Sequence, residues 1–378
     1  MSIAIEQTDI PPGIIDLGSG NPSLELLPIE ILEQASTNYF SAGDRRMLQY
    51  GAERGNGYFL TALAEFLSTS LQFDVPTNAL LTTNGASAAL DLLCTLYTQP
   101  GDLIFVEEPT YFLARSIFAD HQLQVEAVPL DKDGLDIEQL EEKLSWSKPK
   151  FIYTIPTFHN PASVTLAQDR KEQLVNLSHQ NNFLIIADEV YQFLAYDTTP
   201  PKPLAAFVNQ VEQVISINSF SKILAPGLRL GWIQAHPKVI KRLSECGLLD
   251  SGGGLNPFTS GIVCYLIQAG GLTENIAKLK RVYQKRSAVM NTALAQYLLE
   301  ADYLIPHGGY YFWVRLPGQN SSKLRVSAQK YGIDFRPGTL FSSQMSLQEY
   351  LRLSISYYNE PKIELGVKKL AECLQEGI

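Results

Sequence analysis

The residues best suited to chemistry lie in one short segment, Ser219-Phe220-Ser221-Lys222, with Arg229 seven residues after the lysine. A lysine that stands alone after an apolar strand is usually a solvated surface group. The neighbours of Lys222 change this interpretation, because two serine hydroxyls and a guanidinium can together hold a phosphate beside the amine. The segment therefore indicates a phosphate-containing ligand within reach of a lysine.

Polar residues also follow two of the most apolar runs. Asp188 comes directly after residues 183–187, and His159-Asn160-Pro161 stands at the end of another apolar run. Because the carboxyl ends of strands line the ligand crevice of an α/β sheet, these side chains are expected beside a ligand. A helix N-cap would explain Asp188 alone, but not Tyr191 three residues later. A fourth cluster, Asn84-Gly85-Ala86-Ser87, reads as a strand-to-helix turn whose free N–H groups can bind phosphate.

In this order and spacing, the clusters resemble the fold type I pyridoxal 5'-phosphate enzymes, specifically the class I/II aminotransferase family. The resemblance covers nearly the whole chain. It implies a Schiff base between Lys222 and pyridoxal 5'-phosphate, and further cofactor contacts from Gly85, Ala86, Ser87, Tyr111, Asn160, Asp188, Tyr191, Ser219, Ser221 and Arg229. It also implies substrate contacts from Gly20, Asn160 and Arg352, no metal site, and a homodimer in which Tyr50 reaches the phosphate of the neighbouring subunit.

The resemblance assigns a catalytic role to three of these side chains. Lys222 would be both the tether of the cofactor and the general acid/base that moves a proton between the substrate Cα and the cofactor. Asp188 would keep the ring nitrogen protonated, since a carboxylate near 4 Å contributes ~4 kcal/mol at an effective dielectric of 20, or about three pKa units. Tyr191, with Asn160, would hydrogen-bond the phenolic oxygen of the ring. Arg352 would form a bidentate pair with the substrate α-carboxylate.

One motif departs from the family pattern, and one question about the substrate stays open. Many family members read Asn-Pro-Thr-Gly where this chain reads Asn160-Pro161-Ala162-Ser163, a change that keeps Asn160 and is expected to affect the following turn. The sequence does not identify the amino donor or acceptor. An acidic substrate usually requires a second arginine, and the candidates are Arg45, Arg46, Arg54 and Arg336.

The elements that must position these residues follow an alternating pattern. Seven short apolar runs, suited to central strands of a mostly parallel sheet, occur at residues 79–83, 103–107, 123–128, 151–155, 183–187, 214–217 and 230–234. Helical patterns occur at residues 58–71, 88–97 and 136–144. We therefore predict an α/β domain with a seven-stranded sheet and helices on both faces.

A smaller α+β domain is expected after the sheet domain. The chain reads as helical for some forty residues from about residue 262, and strand patterns follow at residues 310–316, 333–336 and 351–356. The aromatic run at residues 310–313 is interpreted as core. We predict a large cofactor-binding domain at residues 45–270 and a small domain at 271–378. The Gly- and Pro-rich residues 1–44 are too irregular for a separate domain and are expected to pack on the small domain or on a partner chain.

Composition restricts the class of protein further. The 378 residues are 45% hydrophobic and carry a net charge of -9 without a dense basic cluster, which argues against a nucleic-acid partner. The four cysteines match neither a zinc-ligand spacing nor a disulfide framework. Neither a signal peptide nor a membrane-spanning run is recognisable. A cytoplasmic protein is expected.

Two other functions share these motifs. C–S lyases and related lyases have the same cofactor residues and differ only in the steps after deprotonation of the substrate Cα. MocR-type transcription regulators carry a similar effector domain, which begins with a motif like Gly18-Ser19-Gly20-Asn21-Pro22-Ser23, after a DNA-binding domain. Only 17 residues precede that motif here, and the net charge is negative. We therefore expect an aminotransferase that moves an amino group between an L-amino acid and a 2-oxo acid.

Overall fold

A computed structural model describes residues 10–196, 199 and 201–376. Within this part of the chain the helices are α1 (Ile29–Ser41), α2 (Gly57–Leu71), α3 (Ala86–Tyr97), α4 (Phe112–Asp120), α5 (Ile137–Leu144), α6 (Gln168–Asn181), α7 (Pro237–Ser244), α8 (Gly247–Gly252), α9 (Pro257–Gln268), α10 (Gly271–Tyr297), α11 (Ser321–Lys330) and α12 (Glu360–Gln375). The strands are β1 (Ile15–Asp16), β2 (Leu80–Thr83), β3 (Leu103–Glu108), β4 (Gln124–Asp131), β5 (Gly134–Leu135), β6 (Phe151–Thr154), β7 (Leu184–Asp188), β8 (Val214–Ser219), β9 (Gly231–Ala235), β10 (Asp302–Tyr303), β11 (Tyr311–Arg315), β12 (Ile333–Asp334), β13 (Arg336–Pro337) and β14 (Tyr350–Ser354).

The main sheet has the strand order β2-β9-β8-β7-β6-β3-β4-β5. The pairs from β8 through β4 are parallel, whereas β9 is antiparallel to both of its neighbours and β5 is antiparallel to β4. All seven predicted strands are confirmed. The strand count of seven is wrong by one, because β5 has only two residues and so leaves no recognisable pattern in the sequence.

Two apolar cores, one on each face of the main sheet, explain why its strands are so apolar. Along β7, Ile186 belongs to the core that contains α2, α3 and α4, whereas Ile185 and Ala187 belong to the core that contains α5 and α6. Successive strand residues point to opposite faces, so a strand covered on both faces needs apolar residues at every position. The predicted helices on both faces are confirmed.

The N-terminal segment contacts both parts of the molecule. β1 pairs in parallel with β12, as expected for a segment that packs on the C-terminal region. The segment also contains a helix that the sequence analysis did not predict, because α1 forms 13 residues of helix after Pro28. α1 packs against α9, with the ring centroids of Tyr39 and Phe258 5.5 Å apart and the rings nearly perpendicular. The Gly and Pro residues that indicated irregular structure all lie before this helix.

The C-terminal part has its own four-stranded sheet, with the order β10-β11-β14-β13 and antiparallel pairs throughout. The three predicted strand regions are confirmed. The long predicted helix is two helices, α9 and α10, separated at Gly270, which has a φ of +79°. A residue in this left-handed region ends a helix, and glycine adopts it at little cost. The domain boundary at residue 270 stays a prediction.

The parallel strands bring the chemical motifs to one edge of the main sheet. Asp188 ends β7, Asn160 follows the neighbouring β6, and Ser219 ends β8 on the other side of β7. In the part of the chain that the structure describes, no helix has the length and apolar character to cross a bilayer, and no cluster of side chains could hold a metal ion.

Candidate active site

Lys222 follows β8 and contacts the N-terminal segment. Its Nζ donates a hydrogen bond to the carbonyl oxygen of Gly20 at 3.0 Å and lies 5.3 Å from the centroid of the Tyr310 ring. Burial lowers the pKa of Lys222, while the negative charge of Asp188 opposes this shift. A lower pKa increases the fraction of neutral amine, which is the nucleophilic form.

Asp188 is buried, and its two carboxylate oxygens have different surroundings. Oδ2 accepts a hydrogen bond from the Tyr153 hydroxyl at 2.8 Å, whereas Oδ1 is buried without a hydrogen-bond partner among the described residues. Burial raises the pKa of Asp188 to about 6. Since an unpaired buried carboxylate oxygen is costly, Oδ1 marks a position where a bound group that carries a donor would be stabilised.

Arg352, on β14, joins the small sheet to the edge of the main sheet and is 3% exposed. Its Nη1 donates to Oδ1 of Asn160 at 2.7 Å, and its Nη2 donates to the carbonyl oxygen of Gly18 at 2.8 Å. The guanidinium carbon lies 4.1 Å from the ring centroid of Tyr311 and 4.9 Å from that of Phe341. These contacts fix the plane of a buried cation, whose Nε has no partner among the described residues.

Three tyrosines interact with the groups around Arg352. The hydroxyl of Tyr191 donates to the oxygen of Tyr311 at 3.3 Å, and burial raises the pKa of Tyr191 well above its usual value. Tyr111 precedes α4, and burial also raises its pKa. It interacts electrostatically with Tyr311, Arg352 and Asp188, which places it in the same cluster.

The N-terminus of α3 and Arg229 together have features suited to binding an anion. Gly85 has a φ of +91° and precedes α3, and no side chain caps this helix, so the N–H groups of its first turn remain available. Arg229 Nη2 donates to the carbonyl oxygen of Asn84 at 3.2 Å. A Cβ at Gly85 would lie 3.1 Å from this guanidinium, so the close approach favours glycine. Ser219 and Ser221 precede Arg229 in the sequence, and their hydroxyl oxygens are 2.8 Å apart.

These groups fit pyridoxal 5'-phosphate in three respects. The unpaired Oδ1 of Asp188 is suited to a protonated ring nitrogen, and the start of α3 with Arg229 is suited to a phosphate. Lys222 is half-buried, and Asp188 is close enough to affect the pKa of its amine.

Comparison with known proteins decides the family. The family model described as aminotransferase class I and II matches residues 12–370. This chain is a class I/II aminotransferase. It is 35% identical to aromatic-amino-acid aminotransferase 1 of Thermococcus litoralis, over 96% of this chain and 88% of that protein. The fold is that of the fold type I aminotransferases, and the cofactor of this aminotransferase is pyridoxal 5'-phosphate.

Two further proteins are similar to this aminotransferase. The crystal structure of Pyrococcus horikoshii kynurenine aminotransferase, in complex with PMP, superposes on this aminotransferase with a TM-score of 0.90 and 32% identity. That alignment covers 97% of this chain and 92% of the other. The HTH-type transcriptional regulator YdfD of Bacillus subtilis is 27% identical over 98% of this chain and 76% of its own length.

The predicted residues Tyr50 and Gly20 have different surroundings in the aminotransferase. Gly20 contacts Lys222 through its carbonyl oxygen, and a Cβ on Gly20 would lie 2.4 Å from the Tyr311 hydroxyl. Tyr50, by contrast, is 85% exposed and lies outside the buried cluster. Two other large apolar side chains near it in sequence, Leu48 and Tyr58, are also exposed.

Of the four arginines that could bind the side-chain carboxylate of an acidic substrate, three already bond to groups of the protein. Arg336 forms a two-bond pair with Asp16, at 3.0 and 2.9 Å. Arg54 donates to the carbonyl oxygen of Thr77, and Arg46 pairs with Asp44. Arg45 is exposed.

Ser163, where many family members have glycine, keeps the turn after Asn160. Its φ is +62°, in the left-handed region that favours glycine. The Ser163 hydroxyl donates a hydrogen bond to the carbonyl oxygen of Tyr311, and its N–H bonds the carbonyl oxygen of His159 at 2.6 Å. Serine at this position therefore lacks the backbone freedom of glycine, but its hydroxyl links the loop after β6 to β11.

Sequence reasoning missed two contributors to the site. The core interpretation of residues 310–313 is incomplete, because Tyr310 contacts Lys222 and Tyr311 contacts Arg352. His159 and Glu107 form a buried pair, with His159 Nε2 3.0 Å from Glu107 Oε2, and hold the loop that carries Asn160. The motif containing His159 is visible in the sequence, but nothing there indicates Glu107 as its partner.

Proposed function

We propose that this aminotransferase takes aromatic L-amino acids as donors and 2-oxo acids as acceptors. The observation that carries the proposal is the setting of Arg352 between the rings of Tyr311 and Phe341. A substrate whose carboxylate pairs with Arg352 would place its side chain near aromatic rings. The engagement of Arg336 by Asp16 argues against a second cation for an acidic side chain. The relative from Thermococcus litoralis, an aromatic-amino-acid aminotransferase, supports the same class of substrate.

In this proposal, Lys222 and Asp188 divide the proton chemistry between them. The bound cofactor supplies an electron-withdrawing ring that makes the substrate Cα–H bond acidic. Asp188 holds the proton at the ring nitrogen through Oδ1, the oxygen that lacks another partner. Lys222 Nζ, whose pKa is lowered by burial, takes the proton from Cα and returns it to the cofactor side.

Binding and orientation fall to the other predicted residues. Arg352 pairs with the α-carboxylate, and its plane is fixed beforehand by Asn160 and by the carbonyl of Gly18. Tyr191 would donate to the phenolic oxygen of the ring, and Tyr111 would stack on the ring. The phosphate would be held by the start of α3 and by Gly85, Ala86, Ser87, Ser219, Ser221 and Arg229.

A panel of amino acids tests the substrate class. Phenylalanine, tyrosine or tryptophan should convert the bound cofactor to its aminated form with a kcat/KM at least about tenfold above that for aspartate, because an unpaired carboxylate is costly to bury. The measurement is stopped-flow absorbance of the cofactor, with assay of the 2-oxo acid formed.

The same panel separates the alternative functions. Release of ammonia with regeneration of the original cofactor spectrum would indicate a lyase. A spectral change without any 2-oxo acid would indicate an effector-binding protein. Faster reaction with aspartate would contradict the aromatic assignment while leaving the aminotransferase activity in place.

We also propose a cytoplasmic homodimer that completes its active sites across the interface. Large apolar side chains are exposed on α1, on the following turn and on α2, namely Ile29, Phe40, Leu48 and Tyr58. The ring centroids of Phe40 and of Phe258, on α9, are 6.0 Å apart, so the exposed apolar surface continues from α1 onto α9. Exposed apolar surface of this kind is typical of subunit interfaces. The four cysteines are unpaired and buried, which supports a reducing compartment.

Tyr50→Phe should weaken cofactor binding without disturbing the dimer. The proposed bond from Tyr50 to the phosphate of the other subunit is a hydrogen bond to a charged group, worth roughly 1.5 to 3 kcal/mol. Equilibrium dialysis should therefore show about ten- to a hundredfold weaker retention of pyridoxal 5'-phosphate. Tyr58→Phe removes another exposed tyrosine hydroxyl from this surface and should leave retention unchanged.

Two results would contradict the shared site. An active monomer in sedimentation experiments would show that one chain suffices. Unchanged cofactor affinity in Tyr50→Phe would exclude Tyr50 as the donor.

A further inference from the structure

We propose that Tyr311 is a positioning residue that couples occupation of Arg352 by a carboxylate to the direction in which Tyr191 donates its proton. The inference rests on the proposed roles of Tyr191 and Arg352. It concerns a hydroxyl that the sequence analysis treated as core.

The geometry places the Tyr311 hydroxyl between the two groups it would connect. Its oxygen accepts the proton of Tyr191 at 3.3 Å, and its ring centroid lies 4.1 Å from the Arg352 guanidinium carbon. The hydroxyl has little room to move, because it lies against Gly20, where a Cβ would be only 2.4 Å away. The Tyr311 carbonyl is held by Ser163. Tyr311 is therefore fixed from both sides.

The charges around Tyr311 favour its role as acceptor. Burial alone would raise the pKa of Tyr311, but Arg352, Lys222, the bond from Tyr191 and Arg336 together bring it below the usual value. The titratable and charged groups that face its hydroxyl from the surrounding elements are Arg336, Arg352, Lys222, Tyr111, Tyr191 and Tyr310. The pKa of Tyr191 is shifted in the opposite direction, so the pair is asymmetric: Tyr311 gives up its proton first.

This asymmetry gives the pair two arrangements. With the Arg352 charge unneutralised, Tyr311 is drawn toward its phenolate form and takes the hydrogen bond of Tyr191, whose single proton is then turned away from the cofactor. When a carboxylate pairs with Arg352, the field that favours the phenolate weakens, and the neutral hydroxyl of Tyr311, with its proton taken from solvent, becomes more favoured. Tyr311 can then donate to Tyr191, and the proton of Tyr191 becomes available to the phenolic oxygen of the ring.

The test is an NMR titration of the full-length protein with tyrosine isotopically labelled at Cζ, in the holoenzyme and in the cofactor-free form. One tyrosine signal is expected to titrate below the usual tyrosine range near pH 10, and Tyr311→Phe should remove that signal. Arg352→Gln should move the same signal to higher pH, because it removes the charge that favours the phenolate.

Tyr283→Phe is the matched control. Tyr283 is also buried and also donates to a tyrosine hydroxyl at 3.3 Å, that of Tyr310, but burial raises its pKa to about 12. This variant should therefore keep the early signal. In the holoenzyme, Tyr311→Phe should also shift the pH at which the cofactor absorbance changes, whereas Tyr283→Phe should not.

The proposal is overturned if wild-type protein shows no early tyrosine signal, if Tyr311→Phe retains it, or if Arg352→Gln leaves its pH unchanged. These readouts do not depend on turnover. A protein that fails to transaminate but shows the signal and its response to Arg352→Gln would contradict the proposed function and support the Tyr191–Tyr311 coupling.

Discussion

Lys222→Ala is expected to leave a folded protein that binds pyridoxal 5'-phosphate through its phosphate but transaminates more than about ten-thousand-fold more slowly than wild type. General acid/base catalysis by one group contributes about 10² to 10⁴, and the covalent tether is lost at the same time. Folding should be little affected, because burial already disfavours the charged form of Lys222. Steady-state assays of 2-oxo acid formation, with thermal unfolding in parallel, measure both expectations.

Lys222→Arg separates loss of the amine from loss of the cation. Arginine stays charged and is not nucleophilic, so this variant should be as inactive as the alanine variant. Lys222 Nζ donates to the carbonyl of Gly20 at 3.0 Å. The arginine variant still offers this carbonyl a donor, whereas the alanine variant does not. Near wild-type turnover by either variant would exclude Lys222 as the acid/base.

Sequence patterns predicted the main sheet well because its central strands are covered on both faces. Such a strand favours apolar residues at successive positions, as β7 shows with Ile185 and Ile186 fully buried in different cores. The sequence pattern failed to predict elements that are very short or that follow a Gly- and Pro-rich stretch. β5 has two residues, and α1 follows a Gly- and Pro-rich stretch that obscures its start.

The site was predictable where a motif directly follows a strand. Asp188 and Ser219 end neighbouring parallel strands, so their proximity follows from the topology alone. The Arg352–Asn160 bond joins residues 192 positions apart, one on β14 of the small sheet and the other in the loop after β6 of the main sheet. Tyr311 enters the cluster because β11 pairs with β14, which no local pattern encodes. Long-range packing therefore decides the part of the site that would bind the substrate.

Burial acts in opposite directions on the two main titratable groups of the site. It lowers the pKa of Lys222 and raises that of Asp188 to about 6, so it favours the neutral form of each. A cofactor that presents a cationic ring nitrogen to Asp188 would restore the charged carboxylate. The cofactor-free protein therefore carries an unfavourable electrostatic energy at Asp188 that binding of the cofactor relieves.

Asp188→Asn is expected to lower turnover about a thousandfold, because the amide cannot supply the ~4 kcal/mol that a carboxylate gives a protonated ring nitrogen at 4 Å. In the absence of cofactor it should stabilise the protein. The folded-state pKa of about 6 lies above the ordinary aspartate value of 3.8, so the contribution of Asp188 to stability is fully present below about pH 4 and is lost as the pH rises through 6. That loss, from a pKa difference of about two, corresponds to at most about 3 kcal/mol.

Urea unfolding between about pH 4 and pH 8 measures the free energy of unfolding of cofactor-free wild type and Asp188→Asn. The advantage of Asp188→Asn over wild type should grow with pH and level off above about pH 6. Glu189→Gln is the matched control, since Glu189 is an adjacent buried carboxylate whose oxygens accept from Ser216 and from the N–H groups of Leu204 and Ala205. An amide cannot replace all of these acceptors, so this variant should lose stability. If Asp188→Asn keeps full turnover, another group holds the ring nitrogen. If its stability does not gain on wild type as the pH rises, Oδ1 of Asp188 is paired in the cofactor-free protein, and the argument that the cofactor relieves its burial fails.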